Sequence, residues 1–141
     1  MNWPNQWKKN QVSDNLVSML DIFPTICSAV GVEIGFTDGI DLSPLLAGQD
    51  PGLEHDTLIW DMEAETAVVH GKWKLRTAKD LRYARRQFFE IEYGEFLFNL
   101  DEDPGEHRDL RYFYPEKFTE LKTIYQNWKQ DMKTSEAQAG S

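Results

Sequence analysis

The 141-residue chain reads as an α+β fold: a small antiparallel sheet of about four strands packed by a C-terminal helix, with a helical segment near the N-terminus. Three observations carry this. Residues 57–77 hold three short β-like runs with a glycine between the last two. Leu97 to Leu100 is a short apolar alternation that runs into Asp-Glu-Asp-Pro-Gly-Glu, where Pro104 and Gly105 cannot extend a ladder. From Pro115, the residues Phe118, Leu121, Ile124, Tyr125 and Trp128 recur at helical spacing.

Each element has its own local justification. Residues 1–13 are polar, and Asp14–Leu20 has the composition of a strand. Asp21 is placed as an N-cap, Pro24 sits in a first turn where its missing N–H costs nothing, and Gly31 can take the left-handed conformation that ends a helix. A helix over about 22–30 follows. Asp38-Gly39 is a turn, and Ser43 to Gly48 allows one helical turn; 49–56 is loop. Strands are expected at 57–61, 66–70 and 72–77, with Gly71 in a tight hairpin. Residues 79–93 read either as a short helix or as an insertion between strands. A fourth strand covers 95–100, a helix runs from Pro115 to about Lys133 with Trp128 in its buried stripe, and 134–141 is expected to be a disordered tail.

Composition limits the function. Hydrophobic residues make up 40% of the chain and aromatics 13%, enough for a folded core. Fifteen basic against 24 acidic residues give a net charge of −9, which argues against nucleic acid or an anionic membrane as partner. Cys27 is the one cysteine, so no intrachain disulfide is available. No apolar run approaches the roughly 18 residues of a membrane span, and the N-terminus lacks the apolar core of a signal peptide. His55, His70 and His107 have no metal-ligand spacing, and Asp101, Glu102, Asp103 and Glu106 lack the alternating oxygen ligands of a calcium loop.

Four stretches, in order, resemble the formylglycine-dependent sulfatases, the arylsulfatase-like members of the alkaline-phosphatase-like superfamily. They are WPNQW at 3–7, VSMLDIFPTICSAVGV at 17–32, DGIDLSPLLAG at 38–48, and AVVHGKWKLR followed by LFNLDEDPGEHRDL. The resemblance implies that residues 1–50 are the tail end of a large α/β domain and 51–133 a C-terminal sheet-plus-helix subdomain. It also implies a sulfuric ester hydrolase as parent, exported to the periplasm or secreted.

The departures matter as much. The family's nucleophile is a formylglycine made from the Cys of Cys-x-Pro-Ser-Arg, whereas Cys27 is followed by Ser28-Ala29-Val30-Gly31. The paired acidic residues that hold calcium or magnesium in the family have no counterpart here. The expectation is therefore a C-terminal fragment with no catalytic residue, no metal ligand and no cofactor of its own, Met1 being an internal position or truncated start. Its partner would be a missing N-terminal catalytic domain. Trp60 and His70 are the candidate substrate-side residues, each placed by the resemblance near the rim of the parent's pocket. A stand-alone protein-binding module derived from a sulfatase tail is the alternative.

Overall fold

A computed structural model describes residues 7, 10–49, 52, 55–62, 64–78 and 94–139. The described chain forms two compact units, Met1–Asp56 and Thr57–Ser141. The WPNQW motif, apart from Trp7, and the ambiguous stretch 79–93 lie outside the described residues.

The second unit is the expected sheet and helix. Strands β1 (Thr57–Asp61), β2 (Glu65–His70), β3 (Trp73–Ala78) and β4 (Gly94–Asn99) pair antiparallel in sequence order. Ile59, Val68, Leu75 and Leu97 stand opposite one another across the four strands, so they share one face. A helix, which we label α3 (Pro115–Ala139), covers that face. Val68, Trp73, Leu75, Leu97, Leu110 and Leu121 form the buried cluster, with Ile59, Phe118, Ile124 and Tyr125 packed against it. Leu97 and Leu121 are fully buried.

The outer edge of β4 is closed by the loop that follows it. The Leu97 N–H donates to Asp109 Oδ1 at 3.1 Å, and the Leu110 N–H donates to the Leu97 carbonyl at 2.8 Å. An edge whose donors and acceptors are already used is a poor template for a further strand.

Among its described residues the first unit has little sheet or helix. A 3-10 turn (Met19–Asp21) leads into α1 (Ile22–Ala29), and α2 (Ser43–Leu46) is a single turn. Gly31, at φ 72°, ends α1 as expected, and the Val32 N–H reaches back to the Cys27 carbonyl at 2.8 Å.

Two expectations need correction. Asp14–Leu20 is not a strand: residues 11–18 are irregular and 19–21 form the 3-10 turn. Here Leu20 N–H donates to Ser18 Oγ at 3.3 Å and Ser18 N–H to Asp21 Oδ2 at 2.6 Å, so local side chains take the groups a ladder would need. The last helix does not stop near Lys133 before a disordered tail but continues to Ala139. Glu136, Ala137, Gln138 and Ala139 are strong helix formers, and extending an existing helix avoids the cost of nucleation.

Candidate functional site

Trp60 and His70 lie on neighbouring strands, yet the register separates them. Trp60 pairs with Ala67, and His70 pairs with Thr57. His70 is three residues from Ala67, an odd number, so its side chain projects from the opposite face of the sheet. The two positions are also about 10 Å apart along the strands, at 3.3 Å per residue. They do not meet in one pocket.

His70 belongs to the helix-covered face. Its Nδ1 lies 2.8 Å from Thr57 Oγ1, and its Nε2 lies 3.8 Å from Glu120 Oε1 on α3. This geometry ties the end of β2 to β1 and to the helix.

Trp60 is on the other face, 46% exposed. Ala67, Arg76 and Phe96 follow it across the sheet in one row. The Arg76 guanidinium stacks over Phe96 at 5.9 Å from the ring centroid and faces Glu65 at 3.6 Å. An open indole in a row with a small residue and a cation is a surface that can stack a sugar ring and meet an anionic substituent. The end of β1 is held from the helix side: Tyr125 donates to Asp61 Oδ2 at 2.8 Å, and Lys129 Nζ lies 3.5 Å from the same oxygen. Burial first, and then the Asp61 carboxylate, push the Tyr125 phenol above its ordinary pKa.

Sequence reasoning missed the most organised polar cluster. Asp21 is fully buried and does not cap α1 with its side chain. Its carboxylate accepts from Ser18 N–H at 2.6 Å, from Ile40 N–H at 2.9 Å, and meets His55 Nε2 at 2.8 Å. Burial alone would raise its pKa, but the Ser18, Ile40 and His55 hydrogen bonds outweigh it and hold the carboxyl below its ordinary value. Thr25 extends the network: its hydroxyl donates to the Asp21 carbonyl at 2.6 Å and accepts from Leu42 N–H at 2.9 Å. Gly39 belongs to it too, because a Cβ there would lie 2.2 Å from the Leu20 carbonyl oxygen. The cluster joins the DIFPT and DGIDLSP motifs into one piece. No single stretch signals it, since Asp21 and His55 are 34 residues apart.

This network is structural in character. Among the described residues no group of three or more His, Cys, Asp or Glu side chains is arranged to hold a metal ion. Cys27 is a half-buried residue of α1 without the Pro-Ser-Arg sequence that formylglycine formation requires in the resembled family. The described residues therefore do not fit a formylglycine or its divalent cation.

No protein-family model matches the chain. It is 30% identical to arylsulfatase A of Bos taurus over 126 residues, covering 77% of this chain and 24% of the bovine protein. Its fold matches the crystal structure of a putative sulfatase from Bacteroides thetaiotaomicron with a TM-score of 0.69 at 22% identity, over 91% of this chain and 28% of that one. A 2-O GAG sulfatase matches with a TM-score of 0.65 at 23% identity, over 87% of this chain and 27% of its own. The architecture is that of the sulfatase fold. More narrowly, the chain is similar to a partial, C-terminal-like segment of sulfatases, spanning about a quarter of the length of the relatives it matches.

Proposed function

We propose that this chain serves as the C-terminal segment of a sulfuric ester hydrolase. In the intact enzyme it packs on a large α/β catalytic domain and supplies one wall of the substrate cleft. The observation that carries this reading is the match of nearly the whole chain to about a quarter of each sulfatase. Hydrolysis of a sulfate ester needs an activated nucleophile and a cation to neutralise developing charge. The Cys-x-Pro-Ser-Arg motif is absent from this sequence, so the segment contributes shape and contacts, not bond-breaking chemistry.

Trp60 is the residue we assign to the substrate side. Its exposed indole and the neighbouring Arg76 suit a sulfated sugar, the ring against the aromatic face and the anion near the guanidinium. His70 keeps the sheet end in place through Thr57 and Glu120.

Two measurements test the reading. The purified chain should show no turnover of an aryl sulfate; detectable activity that follows the protein through purification would refute the division of labour. In an intact enzyme containing this segment, Trp60→Ala should raise KM for a sulfated sugar about tenfold with little change in kcat, the pattern of lost uniform binding. An unchanged KM would remove Trp60 from the cleft.

A further inference from the structure

We infer that the outer edge of β1 is a pairing surface whose occupant is the β1 edge of a second copy of this chain, joined antiparallel about a two-fold axis. This goes beyond the proposed function and does not depend on it. Strands added edge to edge lie in the plane of the sheet and leave the Trp60 face open.

The phase of the hydrogen bonds decides which groups point outward. Met62 N–H donates to the Glu65 carbonyl at 2.9 Å, so these residues form a hydrogen-bonded pair. In an antiparallel ladder such pairs alternate with pairs whose N–H and C=O groups point away from each other. Counting back from Met62, Trp60 and Leu58 bond to β2, whereas Thr57, Ile59 and Asp61 turn their backbone groups to the outside. Strand β4 follows the same alternation. Leu100 N–H reaches the Lys72 carbonyl at 2.8 Å, so Glu95, Leu97 and Asn99 point outward. Their carbonyls are taken: Arg111 donates to Glu95, Leu110 N–H to Leu97, and the Glu102 and Asp103 N–H groups to Asn99. Leu97 N–H in turn donates to Asp109. On β1, among the described residues, the backbone groups of Thr57 and Ile59 have no such partner.

Two features select a second copy. With β4 closed and β1 open, each chain offers one edge among its described residues, and a single edge per chain closes a pair instead of growing a fibre. The open groups are also complementary to themselves. In an antiparallel pair with Leu58 facing its twin, Thr57 of each copy stands opposite Ile59 of the other, and their N–H and C=O groups satisfy one another. Leu58 against Leu58 is an apolar cross-strand contact. Lys, Arg and Pro, which block natural edges, are absent from Thr57–Asp61. Its one charge, Asp61, is held by Tyr125 and Lys129 from α3.

The test uses the full chain in about 0.15 M salt, where repulsion between two acidic chains is screened beyond about 8 Å. Between about 20 μM and about 1 mM, sedimentation equilibrium should show the monomer mass rising to twice its value. Amide exchange followed by NMR over the same range should slow at least tenfold at Thr57 and Ile59. Leu58 and Trp60, already bonded to β2, should exchange at a constant rate. Thr57→Pro deletes an outward donor at the first position of a strand, where proline is tolerated, and should abolish both the mass change and the slowing at Ile59. The exchange pattern of the unmodified chain decides the case even should the proline variant fail to fold. A monomer throughout the range overturns the inference. So does a dimer that forms without slowing Thr57 and Ile59, since it is built on another surface.

Discussion

The two units are held together by opposite means. Among its described residues, Thr57–Ser141 has an apolar cluster of six buried side chains, assembled from three strands, a loop and a helix. Met1–Asp56 has Pro24 and Leu42 as its buried apolar side chains among the described residues, and a carboxylate with three donors at its centre. Among the described residues, nine of the fifteen exposed large hydrophobics, from Val12 to Phe36, belong to this first unit. Burial of apolar area is the main favourable term in folding, so the second unit meets its own needs and the first leaves much of that term unused. A buried charge with good hydrogen bonds fixes geometry more than it adds stability. The first unit is thus specified in shape by polar contacts and short of the burial that would make it stable.

Breaking each unit at its centre should show this difference. Leu121→Ala opens a cavity beneath α3 and should cost the second unit about 4 kcal/mol, measured by urea unfolding followed through tryptophan fluorescence. A loss below about 1 kcal/mol would mean the cluster is not what holds the sheet and helix together. Asp21→Ala leaves the Ser18 and Ile40 N–H groups and His55 without their acceptor. It should destabilise the first unit by about 3 kcal/mol, read as amide-exchange protection lost at Ile40 and reduced at Leu42 while β2 and β3 keep theirs.

The same carboxylate gives the first unit a pH dependence. Asp21 is held below the ordinary carboxylate value in the folded state. Its contribution is therefore fully present above the unfolded pKa and is lost as pH falls through the lower, folded value. Asp41, held low against burial by Ser28 and Ser43, acts in the same direction. Protection at Leu42, whose N–H keeps Thr25 Oγ1 as acceptor, should be level from neutral pH down to about 4 and drop below that, and the drop should shrink in Asp21→Ala without vanishing. A drop of equal size in the variant would assign the acid sensitivity to other groups.

How much of this was legible in the sequence follows the range of the interactions. Helix α1 and its end at Gly31, the hairpin at Gly71 and the strand before Asp101 are set by residues a few positions apart, and all were readable. The role of Asp21 was not, because a carboxylate before a helix has an obvious local use, while its partners Ile40 and His55 are 19 and 34 residues away. The separation of Trp60 from His70 depends on register. Residues whose numbers sum to 127 pair across β1 and β2, from Thr57 with His70 to Asp61 with Thr66. Changing the length of the turn at 62–64 by one residue would put Trp60 and His70 on the same face. That turn has no residue pair that dictates its length.

The smallest expected effect also concerns a residue read from periodicity alone. The helical stripe places Trp128 in the core beside Leu121, where truncation would cost at least 3 kcal/mol. In the structure burial fades along α3: Leu121 is fully buried, Tyr125 and Trp128 are half-buried, and Met132 is 44% exposed. Trp128 stacks on Tyr125 with ring centroids 6.1 Å apart and does not enter the buried cluster. A tryptophan that keeps one side in water loses only part of its transfer free energy on truncation, and no closed cavity forms behind it. Trp128→Ala should therefore cost about 1–1.5 kcal/mol, well under the Leu121→Ala loss in the same unit. A larger loss would show that the far end of α3 is packed as tightly as its beginning, and that the core of the second unit extends past Tyr125.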